Sequence, residues 1–159
     1  DGYWIPTNGE KNDNTYWVSN DFITKAIKNA KSSNVLVISD SCYSGTLSRG
    51  IAIDKVSETV NEKKTPTEIY QKTNSRVVIT SGNLEPVMDG GGGNHSVFAR
   101  GLIETLIATN GPTTATQIYS KLSELVVRDA QQLGTQQVPT MAALNQAGHL
   151  GPDYVFYKN

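Results

Sequence analysis

Cys42, the single cysteine of the chain, follows Val35-Leu36-Val37-Ile38-Ser39, a run without polar and apolar alternation. Such a run reads as a strand buried on both faces, which makes it a candidate central parallel strand. The loop after it, Asp40-Ser41-Cys42-Tyr43-Ser44-Gly45, is built largely of small residues that leave a thiol reachable. In parallel sheets the crevice beyond the strand ends is the usual place for a site, and a thiol there becomes a nucleophile when a histidine or a positive field favours its thiolate. Asp40 adds a carboxylate at the mouth of that crevice, where an acid without a structural partner is costly to half-bury. The plainer reading stands beside this one, because a lone cysteine next to a strand is more often a small, inert core residue.

Other chemistries fit the same residues poorly. A phosphatase loop needs Cys-x5-Arg so that amides and the guanidinium surround a phosphate, and six residues separate Cys42 from Arg49. The run Gly90 to Gly93 lacks the Gly-Lys-Ser/Thr ending of a phosphate cradle and reads better as a flexible loop. With His95 and His149 the only histidines beside one cysteine, no Cys/His zinc site of usual spacing can be assembled. No cofactor is expected.

The elements that would position these groups belong to one ordinary domain. The chain has 159 residues, 37% of them hydrophobic and 18% charged, and 14 Lys+Arg against 15 Asp+Glu leave a net charge of −1. Scattered basic residues argue against a nucleic-acid partner, which relies on clustered Lys and Arg. The longest purely apolar run, Val35 to Ile38, is far short of the ~20 residues of a membrane-spanning helix, so no membrane partner is expected. The start Asp1-Gly2-Tyr3-Trp4 shows no export signal pattern, and an unpaired thiol fits a reducing cytosol, so the expected location is cytoplasmic.

Tyr3-Trp4-Ile5-Pro6 reads as a strand remnant before a turn-rich loop at 7–15. A Ser19 or Asn20 cap opens a helix with Phe22, Ile23, Ala26, Ile27 and Ala30 at helical spacing, ending near Lys31. The stretch 46–75 is polar, with Pro66 able to start a short helix, and reads as a linker. Arg76-Val77-Val78-Ile79-Thr80 is a second buried strand, running into Ser81-Gly82-Asn83. A helix from Ser96 turns Val97, Phe98, Gly101, Leu102, Thr105 and Leu106 inward and stops at Asn110-Gly111-Pro112. Thr114 or Thr116 caps another that buries Ile118, Leu122, Leu125 and Val126, and Asp153 to Tyr157 forms a last aromatic strand. The order is that of an α/β fold, with helices flanking a mostly parallel sheet.

Asp40-Ser41-Cys42-Tyr43-Ser44-Gly45 resembles the metacaspase nucleophile motif Asp-x-Cys-x-Ser-Gly, counterpart of the caspase Gln-Ala-Cys motif. Thr80 to Val87, the glycine run and His95-Ser96-Val97-Phe98-Ala99 are similar to the small-subunit region of bacterial caspase-like peptidases. Gly148-His149-Leu150-Gly151-Pro152-Asp153 resembles their C-terminal end. The resemblance implies a single caspase-like catalytic domain fragment over 1–159. Residues 1–45 would close the large-subunit region, 46–75 form the linker and 76–159 the small-subunit region.

The roles implied are those of a cysteine endopeptidase. Cys42 would attack a peptide carbonyl and form an acyl-enzyme, its own backbone N–H helping to hold the oxyanion. Asp40 would receive the basic side chain of substrates cut after Arg or Lys. Ser81 and Gly82 would wall that pocket, with Asp89 or Glu85 as further contributors. The family's catalytic histidine lies roughly 50 residues before the cysteine, which falls ahead of Asp1. Tyr3 to Pro6 resembles the segment shortly after that histidine, so the expectation is an N-terminally truncated polypeptide, inactive or very weak by itself and needing its missing segment as a partner. His95 and His149 do not match the family's general base. Where calcium-dependent members keep acids this chain has Asn8 and Arg49, so calcium-independent activity is expected and no metal is assigned. Arg49, Lys55, Lys63 and Lys64 would be self-processing sites, or simply solvated loop charges. The competing reading is a non-catalytic caspase-fold module serving assembly or signalling.

Overall fold

In the computed structural model of the chain, which describes residues 2–41, 73–82 and 94–157, the two apolar runs become adjacent parallel strands. They are β3 (Asn34–Ser39) and β4 (Ser75–Thr80), paired from Asn34 opposite Ser75 to Ser39 opposite Thr80. Before them come β1 (Tyr3–Trp4), β2 (Val18–Ser19) and α1 (Asn20–Asn29). After them come α2 (Val97–Ala108), β5 (Thr113–Thr114), α3 (Ala115–Gln132), β6 (Thr140–Ala143), a single 3₁₀ turn at Asn145–Ala147 and β7 (Val155–Phe156). The expected linker charges Arg49, Lys55, Lys63 and Lys64, the short helix after Pro66 and the run Gly90 to Gly93 lie outside the described residues.

The chain is a mixed α/β protein whose central strand is β4, buried along its whole length. Alternate side chains of the sheet point to opposite faces, and each face has its own core. Val35 and Val37 of β3, Val78 of β4 and Ala142 of β6 pack with Ile23 and Ile27 of α1. Leu36, Ile79 and Met141 pack on the other side with Val97 and Phe98 of α2 and Leu122 and Val126 of α3. A strand covered on both faces has no solvent side, which is why the middle of β4, Val77-Val78-Ile79, is apolar without alternation.

Three expectations are corrected. The described sheet has the order β3-β4-β6, with β4 to β6 antiparallel, so it holds one parallel and one antiparallel ladder rather than being mostly parallel. β3 is its edge among the described residues, not its centre, and is only half-buried, with Ile38 38% exposed. The last strand is confined to Val155–Phe156 and pairs with β5 in a separate antiparallel ribbon.

Local chemistry sets the helix limits. The Ser19 hydroxyl accepts the Phe22 N–H at 3.1 Å and caps α1, joined by the exposed Asp21–Lys25 pair along the first turn. α3 opens on a capping box in which Gln117 N–H donates to Thr114 Oγ1 and Thr114 N–H to Gln117 Oε1. α2 and α3 approach closely at Gly101, where an added Cβ would lie 3.3 Å from both Leu122 Cδ1 and Val126 Cγ2. Asp129 of α3, almost wholly buried, accepts from Arg100 of α2 at 2.7 Å and from Arg128 at 2.8 Å.

Candidate functional site

Parallel strands end together, so the pairing of Ser39 with Thr80 brings the residues after β3 and the residues after β4 to one edge of the sheet. A bond from Ser81 N–H to the Ser39 carbonyl at 2.9 Å extends the ladder one residue past the strands. Beyond it Ser81 Oγ donates to the Ser41 carbonyl at 3.4 Å, and the Ser39 and Ser41 hydroxyls lie 3.3 Å apart. Asp40 and Ser41 are thus presented at the carboxyl end of the parallel pair, the location where open α/β sheets carry their ligands.

The opposite side is braced from β6 and the loop before it. Thr80 Oγ1 donates to the Gly82 carbonyl at 3.1 Å, so the 2.7 Å contact with Thr140 must use the Thr140 proton. Gln137, with 2% of its surface exposed, gives an amide N–H to the Ser81 carbonyl at 2.9 Å, while its Oε1 is buried and has no hydrogen-bond partner among the described residues. Ser81 and Gly82 are themselves buried. They support the Asp40 loop from within, and the Ser81 hydroxyl is spent on a backbone carbonyl.

Asp40 is exposed rather than half-buried, and it has a partner: Ser96 Oγ donates to Asp40 Oδ2 at 2.5 Å. The same Ser96 oxygen accepts the Ala99 N–H at 2.9 Å and so caps α2. The carboxylate therefore also sits at the positive end of α2, a favourable place for an anion. The premise of an unpartnered acid is overturned, since Asp40 has an ordinary structural reason to be where it is.

Cys42, Asp89 and Glu85 lie outside the described residues, Cys42 coming directly after Ser41 in the chain. The two histidines part company. His95 is exposed beside Ser96, at the Asp40 end of the sheet. His149 is half-buried at the other end of β4, where its Nδ1 accepts the Arg76 N–H at 3.1 Å. Thr80 stands four positions after Arg76 along the strand, on the order of 13 Å. Burial pushes the His149 imidazole below its ordinary value, partly offset by the Asp153 carboxylate.

Ser96, Gln137 and Thr140 were not marked by residue type as members of this end of the sheet. Ser96 carries the signal of a helix cap, but nothing in its neighbourhood points to an acid 56 positions earlier. Among the described residues, no helix is long and apolar enough to cross a membrane. Compared with protein-family models, with curated proteins and with solved structures, the chain finds no match in any of the three.

Proposed function

We propose that the chain carries the nucleophile of a cysteine endopeptidase of the caspase and metacaspase type, with a caspase-like fold, that cuts peptides after Arg or Lys. The single observation that supports it most is the exposed Asp40 carboxylate, fixed at the carboxyl end of a parallel β pair two residues before Cys42. In this reading the Cys42 thiolate attacks the scissile carbonyl carbon, and a new C–S bond forms as the carbonyl π pair moves to oxygen. Backbone N–H groups, that of Cys42 among them, hold the oxyanion. Collapse of the tetrahedral intermediate breaks the C–N bond, and the amine leaves with the proton that a histidine took from the thiol. Water then hydrolyses the thioester and restores Cys42. The histidine is assigned to sequence upstream of residue 1, and the segment bearing it would pair along the half-exposed edge of β3. A lone free thiol suits a reducing cytosol.

A second reading is a non-catalytic caspase-fold module. It is favoured by the Ser96–Asp40 bond, which gives Asp40 a purely structural task.

The deciding experiment is hydrolysis of matched arginyl, lysyl and aspartyl reporter peptides by the protein extended upstream through the expected histidine, with Cys42→Ala as blank. Cleavage of the basic reporters, absent in the blank and lost in Asp40→Asn, is the expected result. Loss of one charge-assisted hydrogen bond alone is worth about 10- to 150-fold in kcat/KM. Aspartyl cleavage would keep the peptidase and remove the role of Asp40. A folded protein with a titratable thiol that cuts none of the three would establish the module instead.

A further inference from the structure

We infer that Asn110 is a self-modification site, where the side-chain amide is lost as ammonia and the chain passes through a succinimide to aspartate and isoaspartate, with water as the only co-reactant. The inference is independent of the peptidase reading. The tripeptide Thr-Asn-Gly occurs twice, as Thr7-Asn8-Gly9 and as Thr109-Asn110-Gly111, and both asparagines are exposed. With the same local chemistry in both copies, the fold decides between them.

The attacking atom is the backbone nitrogen of the glycine. Having given up its proton, it attacks Cγ of the preceding asparagine; an N–Cγ bond forms, the Cγ–Nδ2 bond breaks, and the departing ammonia takes the proton. Water then opens the ring at either carbonyl. Breaking the new N–Cγ bond leaves aspartate, and breaking the backbone C–N bond leaves isoaspartate, with the chain running through Cγ. Glycine suits the step because no Cβ hinders the approach and its backbone turns freely. A nitrogen whose N–H is already donated must give up that bond first.

In the first copy Gly9 N–H donates to the Pro6 carbonyl at 2.8 Å. The backbone there is also crowded, since a Cβ on Gly9 would lie 2.7 Å from Ile5 Cγ2 and 3.0 Å from the Pro6 oxygen. In the second copy Gly111 N–H has no hydrogen bond among the described residues. Gly111 sits at φ +81°, with no atom within 4 Å of where a Cβ would stand, and only its carbonyl is engaged, by the Thr113 hydroxyl at 3.3 Å. The segment Asn110-Gly111-Pro112 connects Thr109, the cap of α2, to β5. Either product puts a carboxylate beside the negative end of α2, and isoaspartate adds a carbon to the backbone of that short connection.

The test follows the intact chain in mildly alkaline buffer by peptide mass mapping. Trypsin cuts after Lys11, Arg100 and Lys121, which puts Asn8 and Asn110 in separate peptides with no other asparagine in either. Asn110 should exchange its amide for a carboxyl about fivefold faster than Asn8, as one hydrogen bond held at Gly9 and absent at Gly111 would give, and isoaspartate should appear in its peptide. In urea, where neither glycine nitrogen is held, the two rates should converge. Asn110→Gln should silence its peptide. Equal rates in the native chain, faster loss at Asn8, or a difference that persists in urea would each overturn the inference.

Discussion

The backbone N–H of Arg76 donates to Nδ1 of His149 at 3.1 Å, joining the start of β4 to the loop that precedes β7. The bond requires that Nδ1 carry no proton, so it exists only for neutral imidazole with its hydrogen on Nε2. Burial favours the same neutral form.

Stability should therefore depend on pH in a definite direction. The native His149 titrates below its ordinary value near 6.5, so between the two values the unfolded chain binds more protons than the native one. The contribution is fully present above about pH 6.5 and is lost as the pH falls from there towards the native value. Urea midpoints at pH 7.5 and pH 5.5 should differ more for wild type than for His149→Asn, which cannot titrate. Equal differences would remove the role given to this bond.

Arg76 itself is a buried cation held by backbone oxygens. Its guanidinium donates to the carbonyls of Ser32, Ser33 and Ser75, and at 3.5 Å to that of Ala30, so it ties the end of α1 and the turn after it to β4. Arg76→Met should cost about 1–3 kcal/mol, because the turn carbonyls lose their donors but lie near solvent. Arg76→Lys should cost at least as much, since an ammonium keeps the buried charge but gathers its donors at one point and cannot span the four carbonyls. Denaturant unfolding of the two variants checks the order.

Gly101 tests how closely α2 and α3 are packed. A methyl group there is tight against Leu122 and Val126, and alanine's better helix propensity, worth about 1 kcal/mol, offsets the strain, so Gly101→Ala should be near neutral. Gly101→Leu must separate the helices and should lose about 1–3 kcal/mol. Thermal melts of the pair would show whether the contact is as close as described.

His95 is exposed at the Asp40 end of the sheet, whereas His149 is committed to Arg76. With the general base assigned upstream, His95→Ala in the extended protein should keep its turnover of basic reporters. A drop on the order of 10²- to 10⁴-fold would instead make His95 the base that works with Cys42.

How much of this was legible follows from how strongly each element is written. β4 was read well because Val77-Val78-Ile79 is an unbroken apolar run, and α3 because its apolar residues recur at helical spacing behind a capping Thr114. β6 went unread because Thr140-Met141-Ala142-Ala143 has a single β-branched residue and no aromatic, and its strand state comes from pairing with β4. Phe22 was expected inward, yet it is 63% exposed, because Ile23 and Ile27 define the buried line of α1 and Phe22 stands 100° away from it. At the candidate site, Asp40, Ser81 and Gly82 were correctly placed at the strand ends. Their supports were not visible, since Ser96 and Gln137 reach them through tertiary contacts that leave no local pattern.

The central place of β4 has a kinetic consequence. Its ladders join Asn34 to Ser75 on one side and Val77 to Ala143 on the other, so neither neighbour is supplied by a short hairpin. The α2–α3 pair, by contrast, joins elements consecutive but for β5 and forms after closing a short loop. The two helices are the element that can assemble early, offering Phe98, Leu122 and Val126 as a template, and the sheet condenses on it afterwards. Weakening the helix pair should slow refolding, and weakening the strand ladders should chiefly hasten unfolding.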